Sequence, residues 1–187
     1  MTATIQARPH GFSLIEFMMA LAVVAILLGS AIPSFREIIA AMHMQVAKDA
    51  LLGSLLRTRN MALMRRHPVD LCPSSDGHSC SDSLEWQAGW IIFDDLDRDD
   101  TPNDPADILF VGGANTDIAM LGTEGRQRLT FQADGTSGGS NVSITLCDRR
   151  GPERARSVVV SNVGRPRFGA PTALQAAAAC AALAGKH

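Results

Sequence analysis

The first third of the chain is dominated by apolar positions. From Phe12 to Ile32 nearly every residue is apolar, and a helix of this length spans about 30 Å, enough to cross a bilayer. Beyond Pro33, which would kink a helix, apolar residues recur at helical spacing to about residue 67. This pattern predicts one long helix whose outer half packs an apolar face on a globular head. The residues expected on that face are Phe35, Ile39, Met42, Val46, Leu52, Leu56 and Leu63.

The pattern changes after residue 68 to short runs of β-favouring residues separated by turn residues. The predicted strands are Val69–Cys72, Trp90–Phe93, Ile108–Val111, Leu129–Gln132, Val142–Cys147 and Ser157–Val163. Asp76-Gly77, Asp134-Gly135 and Gly138-Gly139 mark breaks between them. Because no helical pattern separates these runs, they predict an antiparallel sheet or two small sheets, and an α+β fold for the whole chain.

Glu16 is the one charge within the first apolar run. A secretory signal peptide ending at the small residues Gly29-Ser30-Ala31 is one interpretation, although the run is long for that purpose. A plain membrane anchor explains the length but not the carboxylate, which costs on the order of 2–3 kcal/mol within a bilayer. The presence of Glu16 within the apolar run therefore needs a separate explanation.

The segment Gly11-Phe12-Ser13-Leu14-Ile15-Glu16 resembles the processing motif of type IV pilins and type II secretion pseudopilins. The resemblance implies that a prepilin peptidase cleaves after Gly11 and that Phe12 becomes the N-methylated N-terminus. It also implies that Glu16 pairs with the N-terminal amine of a neighbouring subunit during filament assembly. A buried carboxylate is tolerated when a cation is delivered to it.

The rest of the chain resembles the FimT/GspH group of minor pilins and pseudopilins. The resemblance rests on Trp86-x-x-Gly89-Trp90, Phe93-x-Asp95-x-Asp97, Phe131-x-x-x-Gly135, Thr145-Leu146-Cys147 and Val158-Val159-Val160-Ser161-x-x-Gly164-Arg165. It implies a pilin-like fold, with a long N-terminal helix packed on an antiparallel head. The expected segments are a leader (1–11), a transmembrane half-helix (12–33), an amphipathic half-helix (34–67) and a β-rich head (68–187). Other pilin subunits and the inner membrane are the implied partners, with the head in the periplasm and later in the filament.

The four cysteines are Cys72, Cys80, Cys147 and Cys180. If the head is periplasmic, disulfides can form, and four cysteines allow three pairings. Cys72 and Cys80 flank a turn-rich segment, so a local bridge between them is the simplest choice. Cys147 would then tie the Ala-rich tail to the sheet through Cys180. A zinc site is a poor alternative because no C-x-x-C pair exists.

The segment Asp94–Asp100 contains D-x-D-x-D at Asp95, Asp97 and Asp99, a pattern found in calcium loops. Asp100 stands where such a loop requires Gly, and Ala106 stands where it requires the bidentate Glu. The sequence therefore favours a solvated acidic loop, and we expect no metal and no cofactor. No catalytic motif is recognisable either, so we expect no enzyme.

The formal net charge is −2, but it is an average over three blocks. Residues 1–69 carry +4, residues 70–125 carry −12 and residues 126–187 carry +6. A chain organised in this way can present a basic face although it is nearly neutral overall. Binding of a polyanion is therefore not excluded.

Basic residues surround the last predicted strand. Gly164-Arg165-Pro166-Arg167 resembles the C-terminal motif of FimT-type minor pilins that bind DNA during natural transformation, which implies a DNA contact at Arg165 and Arg167. Charge clustering extends this hypothesis to Arg154 and Arg156, since guanidinium groups suit phosphates. The alternative is a GspH-type pseudopilin of a type II secretion system that does not bind DNA.

Overall fold

The long helix predicted from the apolar pattern is present in the computed structural model, which describes residue 11, residues 13–138 and residues 142–185. Helix α1 comprises Leu14–Arg65, 52 residues, with Pro33 inside it. The chain divides into two compact units, residues 1–39 and residues 40–187. In the first unit, an 18-residue window of α1 has a mean hydropathy of 2.4, so the helix is long and apolar enough to cross a membrane.

In the second unit, α1 buries largely a different face from the one that its spacing predicted, although Leu52 of the predicted face is partly buried against the core. The buried side chains are Ala40, Met44, Ala47, Leu51, Leu55 and Ala62. Met42 and Val46, which were expected to be buried, are 62% and 67% exposed. The helix carries two apolar stripes, and the stripe that contains small alanines faces the head because alanine lets the backbone approach a neighbouring layer closely. The other stripe remains exposed, and its residues are Met42, Val46, Leu56 and Leu63.

Helix α1 ends two residues before the predicted position. Arg66 takes a left-handed backbone conformation with φ of 59°, and its amide donates to the carbonyl of Ala62 at 2.9 Å. This geometry is a common helix C-terminus. Pro68, which has no backbone N–H to continue the helix, then leads into the first strand.

The head contains two four-stranded antiparallel sheets, which is one of the two arrangements predicted from the sequence. The first has the order β3-β2-β1-β5 and the second has the order β4-β6-β7-β8. The strands are β1 (Val69–Pro73), β2 (Trp90–Asp94), β3 (Ile108–Gly112), β4 (Ala119–Leu121), β5 (Leu129–Phe131), β6 (Val142–Cys147), β7 (Arg156–Val160) and β8 (Pro166–Gly169). The six predicted strands agree closely with β1, β2, β3, β5, β6 and β7. Strands β4 and β8 were not predicted.

The apolar core lies where α1 meets both sheets. Leu51 and Leu55 of α1 belong to one buried cluster with side chains of both sheets, among them Leu71, Phe131 and Ile144. A second helix, α2 (Ala173–Ala184), was described from the sequence only as an Ala-rich tail. Thr172 caps its N-terminus, since its hydroxyl accepts from the amide of Gln175.

Two disulfides join the cysteines in the pairing that the sequence favoured. One joins Cys72 to Cys80 and the other joins Cys147 to Cys180. The second bridge fastens α2 to β6, where Ala176 and Ala179 of α2 are buried. The C-terminal helix is therefore held against the second sheet both by packing and by a covalent bond.

Candidate nucleic-acid interface

The basic motif at residues 164–167 lies in the hairpin between β7 and β8. In this antiparallel pair, Val160 faces Pro166 and Val159 faces Arg167. The turn is closed by the amide of Gly164, which donates to the carbonyl of Ser161 at 2.7 Å. Arg165 therefore lies at the tip of the hairpin and Arg167 lies one residue into the edge strand β8.

Gly164 is required at this turn for two physical reasons. Its φ is +71°, a left-handed conformation that side chains disfavour. A side-chain carbon added there would also overlap the backbone carbonyl of Gly135, in the turn that follows β5. The hairpin tip is thus packed directly against another backbone segment.

Two polar side chains hold these backbone segments together. The hydroxyl of Ser137, which is only 2% exposed, donates to the carbonyl of Ser161 at 3.0 Å, and the Ser137 amide donates to the carbonyl of Asn162 at 3.2 Å. From α1, Arg59 Nε donates to the carbonyl of Gly135 at 3.0 Å. The hairpin tip is therefore tied to the turn after β5, and that turn is tied to α1.

Arg165 and Arg167 are both exposed on the hairpin. Arg165 and Arg167 alternate with Pro166 and Phe168, and the Phe168 ring contacts the ammonium of Lys48 on α1 at 4.4 Å from the ring centroid. Phe168 therefore faces α1, and Arg167, its neighbour in β8, points to the opposite face of the sheet. Within the described ranges neither side chain has a hydrogen bond or an ion pair. Their guanidinium groups are available to an anion.

The other two arginines of the hypothesis lie at the opposite end of β7. Arg154 is in the short 3₁₀ turn Pro152–Arg154, and Arg156 begins β7. Arg156 is three strand positions from the partner of Arg167, about 10 Å along the strand. Across the β6–β7 pair Arg156 lies opposite Leu146, whose side chain is in the core. Because cross-strand partners share a face, Arg156 starts on the core face of the sheet, opposite to the face of Arg167. The structure thus does not bring these arginines together with Arg165 and Arg167.

The basic residues just upstream contribute less charge than their number suggests. Arg150 makes a two-pronged contact with Asp148, with Nη2 to Oδ2 at 2.7 Å and Nε to Oδ1 at 3.1 Å. This pair is largely buried, so the charge of Arg150 is neutralised within the head. Arg149 is exposed.

A polar groove lies beside the hairpin tip and was not identified from the sequence. Arg126, Gln127, Thr130, Gln132 and Ser137 are among its lining residues. Ser137 connects the groove to the hairpin, because it also holds residues 161 and 162. Arg126 is exposed and lines this groove, which makes it a further candidate contact that sequence spacing does not reveal.

The predicted processing residues lie at the start of the described chain. Gly11 is exposed, and Glu16 is an exposed residue in the first turn of α1. Phe12, the predicted mature N-terminus, lies outside the described residues. The roles of these three residues remain predictions.

Comparison with known families identifies the class of protein. Residues 47–164 match the model of the type II transport protein GspH. The chain belongs to the GspH family. Residues 7–32 also match the prokaryotic N-terminal methylation motif, which contains Gly11, Phe12 and Glu16. The GspH match ends at Gly164, so Arg165 and Arg167 lie just outside it.

Solved structures show that this GspH-family chain has a pilin fold. Two crystal forms of the type IV minor pilin FimU from Pseudomonas aeruginosa match it. The form in space group P65 is 20% identical and covers 73% of this chain and 99% of the FimU chain, with a TM-score of 0.55. The form in space group P21 is 19% identical and covers 74% and 95%, with a TM-score of 0.56. No curated protein sequence matches. The chain is a minor pilin or pseudopilin of a type IV pilus or a type II secretion system.

Proposed function

We propose that this chain is a minor pilin whose head binds extracellular DNA through Arg165 and Arg167, in support of DNA uptake. The observation that carries the proposal is the pair of exposed arginines at the tip and in the edge strand of a fixed hairpin. The planar guanidinium group of arginine can donate two parallel hydrogen bonds to phosphate oxygens. A rigid hairpin also lowers the conformational entropy that is lost on binding. Because such contacts go to phosphates, we expect little sequence preference.

The charge of the C-terminal third of the chain supports an anionic ligand. Residues 126–187 carry a net +6, while the acidic residues are concentrated in residues 70–125. Arg126 lines the groove beside the hairpin and adds an exposed cation there. The further hypothesis that Arg154 and Arg156 contact DNA stays a prediction. We expect their contribution to be smaller because they lie at the other end of β7.

The N-terminal region is proposed to act in assembly. A prepilin peptidase would remove the leader (1–11) after Gly11, Phe12 would be methylated, and residues 12–33 would hold the subunit in the inner membrane with its head in the periplasm. Glu16 would pair with the amine of a neighbouring subunit. The exposed apolar stripe of α1 at residues 42–63 supports contact with other subunits, since unpartnered apolar patches commonly mark interfaces.

A DNA-binding assay on the full chain in nonionic detergent micelles tests the proposal. The probe is a short fluorescent DNA duplex, and anisotropy reports binding. The variant Arg165→Gln/Arg167→Gln should bind at least about tenfold more weakly, since each hydrogen bond to a charged group contributes about 1.5–3 kcal/mol. The charge-matched control is Arg154→Gln/Arg156→Gln, which should lose less affinity. Equal losses in the two variants would refute the assignment.

One observation favours a second candidate function. The matching family model is that of the type II transport protein GspH, which supports a minor pseudopilin that contacts other pseudopilins or exported proteins. In that case the wild-type chain would show no DNA binding above the level of the double variants.

A further inference from the structure

A buried carboxylate in the first sheet has no evident role in the fold. Asp70 lies in β1 and is 0% exposed, and neither of its oxygens has a hydrogen-bond partner in the described parts of the chain. The hydroxyl of Thr130, its neighbour across the β1–β5 pair, is near enough to lower the pKa of Asp70 but does not satisfy either oxygen. An unpaired carboxylate in a core is destabilising, so its presence calls for a reason.

The unsatisfied oxygens of Asp70 face the acidic loop that follows β2. One oxygen each from Asp70, Asp95 and Asp100 lie within 4.8 Å of one another. Oxygens from Asp95, Asp97 and Asp99 form a second group of the same size. Asp95 belongs to both groups and is itself only 3% exposed. The two groups therefore adjoin each other and share Asp95.

The structure accounts for both departures from a calcium-loop sequence. Such a loop needs a left-handed residue at the position that Asp100 occupies, normally Gly, and Asp100 adopts that conformation with φ of +68°. The loop also lacks its terminal Glu, because Ala106 stands in its place. Asp70 supplies a carboxylate from the neighbouring strand instead. The sequence could not indicate this, because Asp70 is 25 residues before Asp95.

The charges around Asp70 would favour a bound cation. Burial, followed by the nearby carboxylates of Asp95 and Asp100, raises the pKa of Asp70 to about 7 against the opposing effects of Thr130 and Arg128. Arg128 is the cation within reach, and its Nη1 lies 2.6 Å from Asp100 Oδ2. That contact neutralises Asp100 but leaves both Asp70 oxygens without a hydrogen bond.

We propose that Asp70, Asp95, Asp97, Asp99 and Asp100 form a binding site for one calcium ion. Calcium takes six to eight oxygen ligands in flexible geometry, which suits carboxylates from a loop and an adjacent strand. Magnesium demands closer octahedral geometry and keeps several waters, so it fits this site less well. A bound ion would join the loop after β2 to β1 and fix that end of the two inner strands of the first sheet.

Calorimetric titration of the chelator-treated full chain in detergent micelles with CaCl₂ tests the site. We expect one ion per chain with a Kd of about 10⁻⁴ to 10⁻³ M, the range of extracellular calcium modules. Asp70→Asn should weaken binding at least about tenfold, whereas the control Asp82→Asn, an exposed acid outside the cluster, should leave it unchanged. MgCl₂ in place of CaCl₂ should bind more weakly.

The proposal is overturned if no saturable heat appears up to about 10 mM CaCl₂, or if Asp70→Asn binds calcium as tightly as the wild type. Tryptophan fluorescence of the buried Trp86 and Trp90 reports whether each variant is folded. If Asp70→Asn does not fold, Asp97→Asn decides, because Asp97 is exposed and its substitution leaves the core intact. Unchanged affinity in Asp97→Asn would then refute the site.

Discussion

Substitution of Gly164 by Ala tests the idea that the basic hairpin is held rigidly against the turn after β5. Two costs add at this position. A non-glycine residue in the left-handed conformation costs about 1–2 kcal/mol. The new methyl group would also overlap the carbonyl of Gly135, which forces a backbone shift that costs about 1–3 kcal/mol. We therefore expect a loss of about 2–5 kcal/mol in the free energy of unfolding.

Gly125 provides the matched control. Its φ is +74°, close to that of Gly164, but an added side-chain carbon would meet nothing within 4 Å. Gly125→Ala should therefore show the conformational cost alone, about 1–2 kcal/mol. Urea unfolding of the full chain in micelles, followed by tryptophan fluorescence, measures both variants. If Gly164→Ala costs no more than Gly125→Ala, the packing of the hairpin on the turn is refuted.

Three further predictions follow from the structure. In the presence of a calcium chelator, the free energy of unfolding should fall by on the order of 4 kcal/mol as pH rises from about 4 to 7. The reason is that Asp70 keeps its proton over this range in the folded chain but loses it in the unfolded chain. Urea unfolding at several pH values should show this fall for the wild type and no such fall for Asp70→Asn. Replacing Cys147 and Cys180 by Ala should cost about 4 kcal/mol, from the entropy of a loop with sequence separation 33, and an unchanged urea midpoint would contradict this. Glu16→Gln should still be cleaved by the peptidase but should reduce incorporation into filaments at least about tenfold if one charged contact is lost, as immunoblots of sheared filaments would show.

The helix and most strands could be predicted because their apolar periodicity is local. The edge strand β8 could not, since its sequence Pro-Arg-Phe-Gly has no strand pattern and pairs only because β7 lies beside it. Apart from Leu52, the packed face of α1 was predicted wrongly because helical spacing does not distinguish two apolar stripes. Only contact with the sheets shows that the stripe with Ala47 is the buried one.

In the candidate site, too, some features follow from local sequence and others depend on contacts between distant segments. Arg165 and Arg167 could be named from the sequence because they belong to one short recognisable motif, Gly164-Arg165-Pro166-Arg167. The support from Ser137 and Arg59, and the separation of Arg156 from the pair, depend on contacts between distant segments. The approach of Asp70 to the acidic loop is likewise a consequence of the pairing of β1 and β2, which no local spacing reveals.

The salt dependence of DNA binding tests the central claim most directly. If Arg165 and Arg167 each neutralise one phosphate, Arg165→Gln/Arg167→Gln should reduce the magnitude of the slope of log K against log [salt] by about 1.8, since each contact contributes about 0.9. Anisotropy titrations of the wild type and the double variant over a range of salt concentrations give both slopes. Equal slopes in the two proteins would contradict the claim that these arginines contact DNA.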